Sequence, residues 1–306
     1  MPEWTASEMP DQRGRVAVVT GANSGLGLIT ATELARHGAR VVMAVRNAAA
    51  GERVAAGIRE EVPGAEVEVR DLDLASLASV RAFAKGVTTD FPALDLLVNN
   101  AGVLHLGPRR TTDDGFEAHI GVSALGHFAL TGLLLGSLGR ADASRVVSIS
   151  SIYHRTARLD FDDLMMQRDF KPRQAYARSK LASTVFGFEL DRRLRAAGSS
   201  AISVVAHPGI CRSNLSTRAY EEHGPVARFI DRATQLAFQS VERGARPQLY
   251  AATAPGVRGG QFFGPAGKRQ IRGPVTEVER EGAAADPAVG AQLWRAAEDL
   301  TDVTYL

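Results

Sequence analysis

Short apolar, β-branched runs alternate along this chain with segments of helical length, and that alternation constrains the fold more than any other feature. The runs are Val16–Thr20, Arg40–Val45, Glu66–Arg70, Leu94–Val98, Val146–Ser150 and Ala201–Ala206. Several are apolar at nearly every position, as strands covered on both faces by helices should be. Segments near 25–37, 48–61, 76–89, 114–138 and 173–197 supply the predicted helices. A short strand near Gln261–Phe263 and a helix near 286–300 complete the pattern. Right-handed crossovers turn such a string into an α/β fold: a doubly wound parallel sheet of about seven strands, order 3-2-1-4-5-6-7, with helices on both faces. The reading is a single domain over 1–306, with an N-terminal extension at 1–13 and a C-terminal tail at 266–306. The segment 210–240 has no strand pattern and breaks at Gly224-Pro225, which marks it as a substrate lid.

Composition narrows the classes. At 45% hydrophobic and 23% charged residues, the chain has the profile of a globular protein. Cys211 is the lone cysteine, which excludes a disulfide framework within the chain and favours a reducing, cytoplasmic setting. The net charge of +2 comes without any block of like charge, so nucleic acid is not an expected partner. Met1–Arg15 is polar, and the apolar stretch Phe128–Leu138 is interrupted and too short to span a bilayer, so no membrane partner is expected. Two helices are apolar around much of their circumference, one with Leu125, Phe128 and Leu130, the other with Leu181, Phe186 and Leu190. The sheet covers one side of each; a second copy of the chain would cover the other, giving a homo-oligomer, dimer or tetramer.

Strand Val16–Thr20 runs into Gly21-Ala22-Asn23-Ser24-Gly25-Leu26-Gly27, and a helix follows. Glycines at Gly21, Gly25 and Gly27 permit a tight turn and close backbone approach, and the helix N-terminus beyond offers free N–H groups to phosphates. Asn23, Ser24 and Leu26 share that turn. The position after the first strand makes it a dinucleotide site. At the end of the second strand an acidic residue would accept from a ribose 2′-hydroxyl; this chain has Arg46, 21 residues after Gly25, where a guanidinium suits a 2′-phosphate. The expected cofactor is therefore NADP(H).

Tyr176 and Lys180 stand four apart on a predicted helix and share a face. A tyrosine needs its pKa lowered by about 3 units, or about 4 kcal/mol, to work near neutrality. An ammonium about 4 Å away supplies that much at an effective dielectric near 20. Ser151 closes strand Val146–Ser150 at the carboxyl edge, where open α/β sheets bind ligands, and its hydroxyl can hold a substrate oxygen.

Taken together these motifs resemble the short-chain dehydrogenases/reductases, a Rossmann-fold family, over residues 14 to 265. They are Thr20-Gly21-(x)3-Gly25-x-Gly27, Asp73-Leu74, Asn99-Asn100-Ala101-Gly102, Ser151, Tyr176-(x)3-Lys180 and Pro208-Gly209. Within the family the chain is most similar to the retinol-dehydrogenase-like branch, through Ser150-Ser151-Ile152-Tyr153-His154, Tyr176-Ala177-Arg178-Ser179-Lys180-Leu181-Ala182, His207-Pro208-Gly209 with Arg212-Ser213, and the 25-residue spacing from Ser151 to Tyr176. The resemblance implies Tyr176 as acid in reduction and base in oxidation, Lys180 as the residue that lowers its pKa and binds the nicotinamide ribose, and Ser151 as the holder of the substrate oxygen. It further implies that Asp73 and Leu74 meet the adenine, that Asn100, Ala101 and Gly102 line the cofactor, and that Pro208, Gly209 and Ile210 hold the carboxamide end. The family usually has an asparagine whose main-chain carbonyl supports a water relay to the lysine. Ser123 stands at that position here, and a main-chain role is one that serine can keep.

No His-Glu-x-x-His pattern and no tight His/carboxylate spacing is apparent, so no metal is expected. His127 is expected to pack within a helix and His207 at a strand end, while His105 and His154 are candidates to touch substrate. The function predicted is hydride transfer between nicotinamide and a ketone, aldehyde or secondary alcohol, with a medium-sized apolar small-molecule substrate. The alternatives are a non-catalytic NADP(H) sensor, or an isomerase, epimerase or dehydratase on the same fold.

Overall fold

Valine, isoleucine and leucine at successive strand positions leave no polar face, so the strands can only be buried on both sides. The computed structural model describes residues 3–211 and 238–306 and shows that arrangement. Eight strands form one sheet: β1 Val16–Thr20, β2 Arg40–Val45, β3 Val67–Asp71, β4 Leu96–Asn99, β5 Arg145–Ile149, β6 Ile202–Ala206, β7 Phe262–Pro265 and β8 Val275–Glu277. Their order is β3-β2-β1-β4-β5-β6-β7-β8. The first seven run parallel, and β8 adds antiparallel to β7. The sheet thus has one strand more than the sequence predicted. β8 is three residues long and partly exposed, a short edge that offers little to pair with.

Among the described residues the α-helices are α1 Gly25–Arg36, α2 Ala48–Glu61, α3 Leu77–Asp90, α4 Ala118–Leu138, α5 Pro172–Ala196, α6 Val241–Thr253 and α7 Pro287–Thr301. Side chains alternate across β1: Val18 enters the core beneath α3, α4 and α5, while Ala17 and Val19 enter the one beneath α1, α2 and α6. Predicted and observed elements agree within a few residues. Two elements go unpredicted, β8 and α6, and α6 carries Gly244 and Pro247 in its interior, residues that read as breakers. Most of the expected lid over 210–240 lies outside the described residues.

α4 is not uniform. It opens as α-helix at Ala118–Ile120, becomes π-helix over Gly121–Leu125, and returns to α-helix over Gly126–Leu138. Gly126 lies against the Leu74 carbonyl, where a Cβ would come within 2.7 Å of that oxygen. As a whole α4 is 21 residues long and apolar enough to cross a membrane, which corrects the expectation that no segment reaches that length. It is a core helix here, largely buried within the fold.

The C-terminal tail has a defined place. Trp294 on α7 packs edge-on against Phe128 of α4, with centroids 5.1 Å apart, and stacks near Phe186 of α5. Tyr305 lies against Phe128 and Trp294 and would be struck by any Cβ at Gly132. The apolar outer faces of α4 and α5, which suggested a partner subunit, are therefore covered at these positions from within the chain. Trp294→Ala should cost about 3–5 kcal/mol in urea denaturation, and Leu300→Ala on the same helix less than about 1 kcal/mol.

Candidate active site

The sheet order reverses between β1 and β4, so the loops leaving these two strands diverge and open a crevice at the carboxyl edge. A single hydroxyl holds them together beneath it. Thr20 Oγ1 accepts from the main-chain N–H groups of Asn100 and Ala101, both at 2.9 Å. The Asn100 side chain donates to the Thr20 carbonyl at 2.8 Å. Gly21 sits at φ +65° against Ala101, and a Cβ on Gly27 would overlap the Gly21 carbonyl. Gly25, at φ +56°, faces open space at the N-terminus of α1. Asn23, Ser24 and Leu26 are half-buried around it, and Ser24 caps α1 without using its side chain. This bare, tight cradle with free helix N–H groups fits a dinucleotide phosphate.

Around the cradle stand the other expected cofactor residues. Arg46 follows β2, exposed and with no ion pair among the described residues. Asp73 Oδ1 caps the turn to α3 through the Ala75 N–H, and Leu74 is buried beside it. Gly102 passes close to Lys180 Nζ and Ser123 Oγ, 3.4 and 3.5 Å from where its Cβ would lie.

The catalytic candidates converge beyond this point. Ser151 follows β5 and caps a 3-10 turn through the Tyr153 N–H, and its hydroxyl opposes the rise of the Tyr176 pKa. Tyr176 is flanked edge-on by Tyr153 and His119, with centroids 6.0 and 6.3 Å away. Lys180, one turn further along α5, donates to the Ile149 carbonyl at 3.0 Å. Burial dominates both ionisations. It raises the Tyr176 phenol to about 12, against the opposing pull of Ser151, and lowers the Lys180 ammonium to about 8. The tyrosine is thus a proton donor at neutral pH, not the partly ionised group that an adjacent ammonium was expected to create.

Ser123 lies in the π-helical stretch of α4. Its carbonyl accepts from His127 Nδ1 at 3.0 Å and from Ser183 Oγ at 2.8 Å, while its own hydroxyl is buried without a partner. Since Nδ1 of His127 donates, Nε2 accepts, and it does so from Thr20 Oγ1 at 2.9 Å. Burial holds His127 down to about 4 and so keeps it neutral.

Pro208, Gly209 and Ile210 follow β6. Gln239 donates to the Pro208 carbonyl, the Gly209 N–H donates to His207 Nδ1 at 3.2 Å, and the Ile210 N–H donates to the Ile271 carbonyl at 2.9 Å. Of the histidine candidates, His154 is buried behind Ser151 and bonds its carbonyl through Nδ1 at 2.6 Å, away from the substrate side.

His105, Glu117 and His119 form a buried group with ligand atoms within 4.8 Å of one another. This corrects the reading that no close His/carboxylate set exists; the Glu117-x-His119 spacing was the available signal. Glu117 accepts from His119 Nδ1 at 2.7 Å and from the main-chain N–H groups of His119 and Ile120. Burial pushes this carboxyl up, but His119 and those N–H groups outweigh it and hold it below the usual range. His119 Nε2 accepts from the His105 N–H at 3.3 Å, so the carboxylate and both ring nitrogens already serve hydrogen bonds.

A glycine cradle, a Tyr-x-x-x-Lys pair and a strand-end serine at one sheet edge define an oxidoreductase class, and the comparisons with known proteins agree. The family model described as short chain dehydrogenase matches residues 15–224, and the chain belongs to that family, in its retinol-dehydrogenase-like branch. Mouse retinol dehydrogenase 14 is 40% identical over 304 residues, 95% of this chain and 86% of its own. Mouse polyprenol dehydrogenase is 42% identical over 291 residues, 94% of this chain and 83% of its own. An uncharacterized Mycobacterium paratuberculosis protein of known structure is 41% identical across the full length of both chains, with a TM-score of 0.83.

Because Lys180 binds its proton more weakly folded than unfolded, the unfolded state holds more protons between about pH 8 and 10.5. Stability should therefore gain about 3 kcal/mol across that window relative to Lys180→Met, which lacks the group. Urea denaturation of both proteins at the two ends of the window checks this.

Proposed function

We propose that this protein is an NADP(H)-dependent reductase of ketones or aldehydes, reversible toward secondary alcohols, acting on a medium-sized apolar substrate. The observation that carries it is the convergence of three side chains at the carboxyl edge where the glycine cradle opens: Ser151 directly after β5, and Tyr176 and Lys180 one turn apart on α5, with Lys180 anchored to the Ile149 carbonyl at 3.0 Å. Nicotinamide bound along that edge supplies or takes the hydride. Ser151 holds the substrate oxygen by hydrogen bond and aligns it with the phenol. Tyr176, fully protonated at neutral pH, delivers the proton to the oxygen as negative charge develops on it. Lys180 brings positive charge beneath the tyrosine and binds the ribose, and Ser123 completes the polar surface beside it. The buried setting keeps bulk water from competing as proton donor.

NADP(H) over NAD rests on Arg46, which follows β2, is exposed and makes no ion pair among the described residues. The names of the retinol and polyprenol dehydrogenases support an alcohol/carbonyl couple. The packing of α4 inside the fold supports a protein that does not cross a membrane through that helix. At Phe128 and Phe186 the cover on α4 and α5 comes from α7.

NADPH oxidation followed with a panel of ketones, aldehydes and quinones should show turnover in the native protein. Tyr176→Phe should lower it at least about 10²-fold. An isomerase or a sensor would consume no NADPH. Arg46→Asp should lower kcat/KM with NADPH about tenfold or more, the order of one charge-assisted contact, and raise it with NADH.

A further inference from the structure

The loop joining β7 to β8 carries two consecutive non-glycine residues, Arg269 and Gln270, both at φ 56°. Residues of this kind rarely hold a left-handed conformation unless their surroundings dictate it. The surroundings here are the segment Pro208–Ile210. The Gln270 carboxamide oxygen lies 2.8 Å from His207 Nε2, and His207 is fully buried. Because Nδ1 of that ring accepts the Gly209 N–H, its proton sits on Nε2 and is donated to Gln270. Gly264 leaves the room in which the imidazole lies, since a Cβ there would overlap the ring. The same loop supplies the Ile271 carbonyl to the Ile210 N–H, and Gly209, at φ +67°, has no space for a side chain against it.

We propose that Gln270 is a positioning residue for the nicotinamide end of the cofactor: it fixes the tautomer and tilt of His207, and His207 fixes the Gly209 peptide beside which the carboxamide binds. This rests on the reading that Pro208–Ile210 hold the cofactor. The left-handed turn at Arg269 and Gln270 is what aims the carboxamide back at β6. The charged and titratable groups near His207 are His154 and Arg155, both of which disfavour its protonation, and burial holds it near pKa about 3.

The test is NADPH affinity of the full chain by fluorescence titration, with thermal melting as a fold check. Gln270→Ala should weaken binding about fivefold, the size of one lost hydrogen bond, with a melting temperature near that of the wild type. Gln270→Glu keeps an acceptor toward Nε2 but favours the imidazolium, whose second proton occupies Nδ1 and breaks the Gly209 bond. That variant alone should lose NADPH affinity as pH falls from about 8 to about 5. A prop with no positioning role would not create that pH limb. Wild-type affinity in Gln270→Ala, or a Gln270→Glu profile parallel to the wild type, would overturn the proposal while leaving the cofactor reading intact. Failure of the wild type itself to bind NADPH would sink both.

Discussion

The structure depends on the hydrogen bonds around one threonine. At the point where the strand order reverses, nothing in the sheet ladder ties the end of β1 to the loop leaving β4, and the crevice opened there would otherwise be soft. Thr20 Oγ1 takes two main-chain N–H groups from that loop and gives its proton to His127. Through that ring the tie reaches the Ser123 carbonyl, and from there Ser183 on α5. The glycine cradle, α4 and α5, which carries Tyr176 and Lys180, are thus connected by one chain of hydrogen bonds. A neutral His127 is the hinge of this network, because a second ring proton would break its bond to Thr20 and leave the hydroxyl only the longer contact to the Val98 carbonyl at 3.3 Å.

Burial sets the chemistry. An ammonium and a phenol, both removed from water, shift in opposite directions, each toward its neutral form. The protein carries an unfavourable charge at Lys180 and a reluctant acid at Tyr176, an arrangement of little use to stability but suited to a site that must meet developing charge. The π-helical stretch of α4 belongs to the same economy of function over regularity: within it the Ser123 carbonyl serves two side chains, His127 and Ser183.

Much of this was legible beforehand because it is written locally. Apolar runs mark the strands, and Gly21, Gly25, Gly27, Tyr176 and Lys180 sit at spacings that one turn or one helix face enforces. What escaped is what only tertiary packing decides. Pro247 disguises α6, whose place against α1 and the sheet face at β5, β6 and β7 overrides the weak propensity. Glu117 and His119 are two apart in sequence, but His105 joins them only because the loop after β4 folds back on α4. The ionisation of Tyr176 was argued from charge alone, and burial, which a sequence states poorly, outweighed it. The apolar belts on α4 and α5 need cover, and α7 supplies part of it from within the chain.

That last feature joins distant parts of the chain. Tyr305 donates to the Phe128 carbonyl across 177 positions, and Trp294 meets the same ring. Closing so long a loop costs little more entropy than a shorter one, because the penalty grows only logarithmically with length. It is nonetheless a non-local contact, the kind whose prevalence slows folding. Wherever α7 is undocked, two long apolar helices expose a face through which chains can associate. The C-terminal segment thus shields from solvent an apolar surface that the rest of the chain leaves open.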